Sequence, residues 1–93
     1  MLSKIPIEIK NIKNEDLDKE ILRLGMIAEL DAINFYEQLA SMTKNTSIRK
    51  VLLDIAKEEK THVGEFLALL LKLDLEQKKE LEKGKQEVEE LSE

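Results

Sequence analysis

The chain has 93 residues and a net charge of −5, and 38% of its residues are charged, with one Pro, three Gly and no Cys. This length allows at most one small domain, and a Lys- and Glu-rich composition with little Pro or Gly is typical of long helices, so we predict an all-α fold. The acidic balance argues against a nucleic-acid-binding protein, and the absence of Cys excludes disulfides, thiolate metal sites and cysteine nucleophiles.

The N-terminal residues 1–14 contain Pro6 and scattered isoleucines without helical spacing, so we predict an extended arm. The longest uninterrupted apolar run of the chain, Phe66 to Leu71, is far shorter than the roughly 20 residues that a membrane span requires. The N-terminus also has no signal-peptide pattern. We therefore expect a cytoplasmic protein that does not bind a membrane.

Two long helices are predicted next, over residues 15–43 and 47–73. Asn14 can cap the first helix, whose first turn is acidic, as the helix dipole favours. Asn45 or Thr46 can cap the second helix. Because the turn between them is short, the helices are expected to fold back as an antiparallel hairpin.

The remaining residues, 74–93, are predicted to form a short C-terminal helix or a linker, with Asp74 as its cap and Gly84 in its middle. The domain division is therefore an arm, a hairpin over residues 15–73, and this last segment. The first helix carries two apolar rows, which indicates that it packs against more than its own hairpin partner. We expect two hairpins to form a four-helix bundle on dimerisation.

Two ionisable residues interrupt the apolar seam of the second helix. Glu59 and His62 lie at heptad spacing in a row whose other six positions are apolar. Burial of a carboxylate costs several kcal/mol unless it is paired, protonated or bound to a metal, so we predict a functional pair in the most deeply buried seam. Three-residue spacing also lets both side chains share one cation. The full row is Ile48, Leu52, Ile55, Glu59, His62, Phe66, Leu69 and Leu73.

A third ionisable residue, Glu29, interrupts the apolar row of the first helix, between Met26 and Ile33. Because Glu29 and the pair Glu59 and His62 are roughly equidistant from the turn, the antiparallel hairpin brings all three to one level. Carboxylate oxygen with imidazole nitrogen is the ligand set of iron, manganese and zinc. Two chains would supply four Glu and two His, the set that ferritin-like di-iron bundles use, and four negative charges would balance two ferrous ions.

Two stretches around these residues, AELDAINFY over 28–36 and EEKTH over 58–62, resemble the encapsulated ferritins, short relatives of ferritin and rubrerythrin. The resemblance covers about residues 17–73. It implies that Glu29, Glu59 and His62 are the ferroxidase ligands and that Tyr36 lies beside the metal. It also implies that Asp31 lies where iron enters, with Phe35 next to it.

The same resemblance implies homodimers that assemble into a decameric ring, carried as cargo inside an encapsulin nanocompartment that stores the iron. Iron is the expected metal, with Zn, Mn or Ca as surrogates. The chain departs from the family at Ala28, where an acidic residue is common, and at its last five residues, which do not resemble an encapsulin targeting tail. Some archaeal members are fused to the shell protein, which would explain the second difference.

Other interpretations stay open. The buried Glu and His could fix the register of a structural hairpin without metal, or the site could belong to a rubrerythrin-like peroxidase or a manganese enzyme. Tyr36 could be a core aromatic residue. The remaining glutamates near the site, among them Glu58, Glu37 and Glu65, are interpreted as solvated. The sequence does not indicate whether Glu29 or Glu59 bridges the two metals.

Overall fold

The computed structural model describes residues 14–92, so the predicted arm falls outside the described residues except for Asn14. Three helices follow in chain order: α1 (Asn14–Met42), α2 (Thr46–Leu73) and α3 (Leu75–Ser92). Between residues 14 and 92 there is no strand, which confirms the all-α prediction. None of these helices is both long enough and apolar enough to cross a membrane.

A three-residue turn joins α1 to α2, and side chains satisfy the helix ends on both sides of it. The Asn45 side chain accepts a hydrogen bond from the Ile48 N–H at 3.0 Å, so Asn45 is the N-cap of α2. Arg49 donates from Nε to the Ala40 carbonyl at 3.2 Å and from Nη2 to the Thr43 carbonyl. The first bond satisfies a carbonyl that the last turn of α1 leaves unpaired, and the second satisfies a carbonyl of the turn itself. The turn therefore fixes the antiparallel register of the hairpin.

The hairpin core is thin. Its buried residues are Ile33 and Ala40 from α1 and Ala56 and Leu70 from α2. The small alanine side chains in this core let the two helices approach closely, but two helices have only one mutual surface to bury. Many large apolar side chains consequently stay exposed, including Val51 at 59%. One chain alone therefore leaves much of its apolar surface in contact with water.

Asp74 joins the three helices at the end of the hairpin. Its backbone N–H donates to the Leu70 carbonyl at 2.9 Å, which ends α2. Its carboxylate accepts from the Gln77 N–H at 3.0 Å, which begins α3 as predicted. The same carboxylate forms an ion pair with Arg23 of α1, at 3.0 Å from Nη2. α3 itself contains no buried residue, so the contacts of Asp74 help to set the direction of α3 relative to the hairpin.

The charge of Asp74 is expected to stabilise the fold except in acid. The backbone N–H of Gln77, followed by the positive charges of Lys19 and Arg23, holds the pKa of Asp74 below its usual 3.8. A carboxylate with a lowered pKa adds stability above its unfolded-state pKa, and this stability is lost as the pH falls through the folded-state pKa. Asp74→Asn keeps a capping side chain but removes the charge.

The free energy of unfolding of Asp74→Asn should therefore be lower than that of the wild type at neutral pH. The difference should stay constant down to about pH 4 and shrink below it. Urea denaturation followed by circular dichroism, from neutral pH to about pH 2, measures it. A difference that is unchanged at the lowest pH would contradict this prediction.

Candidate metal centre

The middle of the hairpin brings together Glu29 from α1 and Glu59 and His62 from α2. One ligand atom from each of the three side chains lies within 4.8 Å of the other two. His62 Nδ1 is 3.4 Å from Glu29 Oε2 and 3.5 Å from Glu59 Oε2. The hairpin register thus produces the predicted convergence, whereas binding of a metal there stays a prediction.

The Glu29 carboxylate has one oxygen, Oε2, that is buried and accepts no hydrogen bond. The nitrogen nearest to it in this group, His62 Nδ1, lies at 3.4 Å without hydrogen-bond geometry. Leaving a buried carboxylate oxygen without a donor costs free energy that a bound cation would offset. Two carboxylates and an imidazole are also the donors that ferrous iron, manganese and zinc prefer. The three side chains therefore fit a divalent transition-metal ion.

The group is open to solvent on one side. The side chains of Glu29 and Glu59 are each 19% exposed, whereas that of His62 is 44% exposed. The prediction that Glu59 and His62 occupy a deeply buried seam is therefore wrong for a single chain. Two helices cover a seam from one side only, and complete burial needs a second layer of helices.

Exposed apolar residues lie along the same side of the hairpin as His62, and we call this surface the His62 face. Leu69 lies two helical turns after His62 and is 51% exposed. It lines an apolar groove of ≈ 260 Å³ with Ile21 and Leu22 from α1. A second groove, lined by Ile48 and Val51, lies near the turn. The exposed apolar residues of the His62 face are Ile21, Ile48, Val51, Leu69 and Leu73.

The other predicted site residues lie outside the group of three. Tyr36 is seven residues after Glu29, which places it on the same face about two turns away. Its ring packs edge-on against Phe35, with ring centroids 5.4 Å apart. Asp31 is about 200° around α1 from Glu29 and is not among the converging side chains. The roles of Tyr36 and Asp31 stay predictions.

One contact next to the group, between Gly25 and Phe66, was not predicted from the sequence. Gly25 lies one turn before Glu29, and Phe66 one turn after His62. A Cβ atom on Gly25 would lie 2.9 Å from both Cε1 and Cζ of Phe66. Glycine costs about 1 kcal/mol relative to alanine inside a helix, so a mid-helix Gly opposite an aromatic seam residue is the signal that could have revealed this contact.

Comparison with known proteins extends these observations. The model of the Rubrerythrin family matches residues 20–93, which include all three converging side chains. The crystal structure of the encapsulated ferritin domain from Pyrococcus furiosus matches with a TM-score of 0.84 and 52% sequence identity, covering 98% of this chain and 93% of that one. The resemblance read from the two sequence stretches is thereby confirmed.

Two longer proteins are also similar. A "Ferritin-like-encapsulin shell fusion protein" from Pyrococcus furiosus is 63% identical over 73 residues, which are 78% of this chain and 21% of that protein. The "Encapsulin nanocompartment cargo protein EncC" from Myxococcus xanthus is 39% identical over 56 residues, which are 60% of this chain and 43% of that protein. This chain thus aligns with less than half of the length of either relative.

Proposed function

The chain belongs to the rubrerythrin family, and we propose that it is a ferroxidase subunit whose di-iron site forms between two copies of the chain. The observation that carries this proposal is the buried, unpartnered Oε2 of Glu29, which lies beside Glu59 and His62. A structural hairpin without metal would leave that carboxylate oxygen uncompensated. Metal binding supplies the missing partner, so it is the interpretation that the geometry favours.

The ligand count supports a site shared between two chains. One chain offers two carboxylates and one imidazole, which is half of the ferritin-like di-iron set of Glu from two helices and Glu-x-x-His from two more. A two-fold axis near His62 would bring a second set to the same place and cover the His62 face with its counterpart. Burial of the exposed apolar side chains of this face would then favour the dimer.

Ferrous iron is the substrate in this proposal. Glu29, Glu59 and His62 of the two chains would hold two Fe²⁺ ions, and four carboxylates would cancel the four positive charges. Each Fe²⁺ gives up one electron, and dioxygen accepts these two electrons and two protons to become hydrogen peroxide. The hard carboxylate oxygens favour the ferric product over the ferrous substrate.

We place this chemistry inside an encapsulin compartment. The two longer relatives are named as a fusion to an encapsulin shell and as an encapsulin cargo protein. We propose that this ferritin-like domain likewise works within such a shell and delivers ferric iron for storage. The assembly of its dimers into a ring, predicted from the family resemblance, belongs to the same proposal.

Zinc is expected to compete with iron at this site. Carboxylate and imidazole ligands bind Zn²⁺ at least as tightly as Fe²⁺ in the usual affinity order, and Zn²⁺ cannot be oxidised. One equivalent of Zn²⁺ per chain should therefore lower the initial rate of Fe²⁺ oxidation about 10-fold or more. Stopped-flow absorbance of the ferric product measures this rate, with Ca²⁺, a weaker competitor for nitrogen ligands, as the control.

Calorimetry supplies the second part of the test. Zn²⁺ binding should be lost in Glu59→Gln and kept in Glu58→Gln, which makes the same change at the exposed neighbouring position. If equimolar Zn²⁺ leaves the oxidation rate unchanged, Glu29, Glu59 and His62 are not the residues that bind the substrate iron.

A further inference from the structure

Beside the metal group, α1 approaches a side chain of α2 closely at Gly25. A Cβ atom built on Gly25 would lie 2.9 Å from Cε1 and Cζ of Phe66 and 3.1 Å from Cδ1. One whole edge of the aromatic ring therefore rests against the glycine backbone. Ordinary contacts between carbon atoms are about 3.5–4.0 Å long, so no larger residue fits at this position without movement of α1, of α2 or of the ring.

This contact lies at the same end of the metal group on both helices. Gly25 is four residues before Glu29, and Phe66 is four residues after His62, so antiparallel packing puts the contact one turn, about 6 Å, from both. Glu29 is carried by α1, whereas Glu59 and His62 are carried by α2. The separation between the two helices at this level therefore controls how far Glu29 lies from the other two side chains.

We propose that Gly25 and Phe66 are positioning residues, and that their contact sets the helix separation that Glu29, Glu59 and His62 need in order to share a metal ion. This inference rests on the proposed function. A methyl group on Gly25 would require a displacement of about 0.6 to 1 Å to reach ordinary contact with the ring. Metal–ligand distances tolerate changes of only about 0.2 Å, so a displacement of that size would weaken binding.

Binding of Co²⁺ is a suitable probe because its visible absorption bands report the coordination geometry directly. Gly25→Ala should weaken Co²⁺ binding by about 10-fold or more and shift the bands, as is usual when the support of a metal ligand is lost. The matched control is Gly64→Ala on α2, where an added Cβ would meet nothing within 4 Å. This control should keep the wild-type affinity within about 2-fold.

A double variant separates positioning from a general loss of stability. Gly25→Ala combined with Phe66→Leu replaces the ring by a smaller side chain, so the double variant should recover most of the affinity and the wild-type bands. A loss of stability alone would lower the melting temperature and leave the bands of the folded protein unchanged. Wild-type Co²⁺ affinity and bands in Gly25→Ala would mean that the ring swings aside, and they would overturn the proposal.

Two further results complete the test. If Gly25→Ala does not fold, the single variant Phe66→Leu tests the proposal instead. Removal of the ring should weaken Co²⁺ binding about 10-fold, and unchanged binding would overturn the proposal. If the proposed metal site itself is wrong, the result is distinct: Co²⁺ should then bind to wild-type protein and to Glu59→Gln equally well. The outcome at Gly25 can therefore be interpreted separately from the identity of the ligands.

Discussion

Glu59→Gln is expected to lower the rate of Fe²⁺ oxidation by at least about 100-fold, because loss of a residue that merely supports a metal ligand already costs about 10–100-fold. The substitution preserves the size of the side chain and removes the negative charge that we propose binds iron. Glu58→Gln is the matched control, since Glu58 is exposed and does not converge with Glu29 and His62. Its oxidation rate should equal that of the wild type.

Mixed dimers test whether the site is shared. When wild-type and Glu59→Gln chains are unfolded together in equal amounts and refolded, about a quarter of the dimers should contain two intact chains. A shared site that needs both chains should then retain about a quarter of the wild-type activity, whereas independent sites within single chains would retain about half. Retention of half of the activity would refute the shared site. It would not contradict the assignment of Glu59 as a metal ligand.

The second large effect that we expect is that of Fe²⁺ on the oligomeric state of the protein. In the metal-free protein, a dimer formed through the His62 face would bring Glu29 and Glu59 of two chains to one place, and four like charges at short distance oppose association. In the proposed site, two divalent cations would cancel this repulsion and would bind only to the paired state. Mass action should therefore shift the protein from small species toward dimers and rings when Fe²⁺ is added. Burial of apolar side chains favours association both with and without Fe²⁺, so it does not account for the shift.

Size exclusion coupled to light scattering, with and without Fe²⁺ at one protein concentration, measures this shift. At a concentration equal to the metal-free dimer dissociation constant, where half of the chains are paired, a 100-fold tightening would leave only a minority of monomers. Glu59→Gln should assemble more readily than the wild type in the absence of iron, because it removes two of the four charges per dimer. Identical wild-type mass distributions with and without Fe²⁺ would contradict metal-linked assembly.

The helices and the meeting of the three site residues could be predicted because they depend on local signals. The caps at Asn45 and Asp74 act over three residues, and the structure confirms both. The register that brings Glu29 to Glu59 and His62 depends on the length of the turn, which was predicted from the helix-breaking and capping residues around Asn45 at three residues and one position too late. Periodicity and turn length were therefore sufficient to place this group at the middle of the hairpin.

Burial and long-range contacts could not be predicted in the same way. The heptad pattern identifies apolar seams, but it does not say whether a seam is covered by the same chain or by another, so the 44% exposure of His62 was not anticipated. The ion pair of Arg23 with Asp74 and the contact of Gly25 with Phe66 join residues far apart in sequence. Such pairs depend on the rotation of each helix about its axis, which periodicity fixes only approximately.

Native mass spectrometry of protein loaded with Fe²⁺ under anaerobic conditions tests the proposed shared site most directly, since it counts metal ions and chains in the same particle. We expect about one iron ion per chain, bound only in species with an even number of chains, and no iron on monomers or on Glu59→Gln. Iron held by monomers at the same stoichiometry, or held equally by Glu59→Gln, would contradict a di-iron site built from Glu29, Glu59 and His62 of two chains.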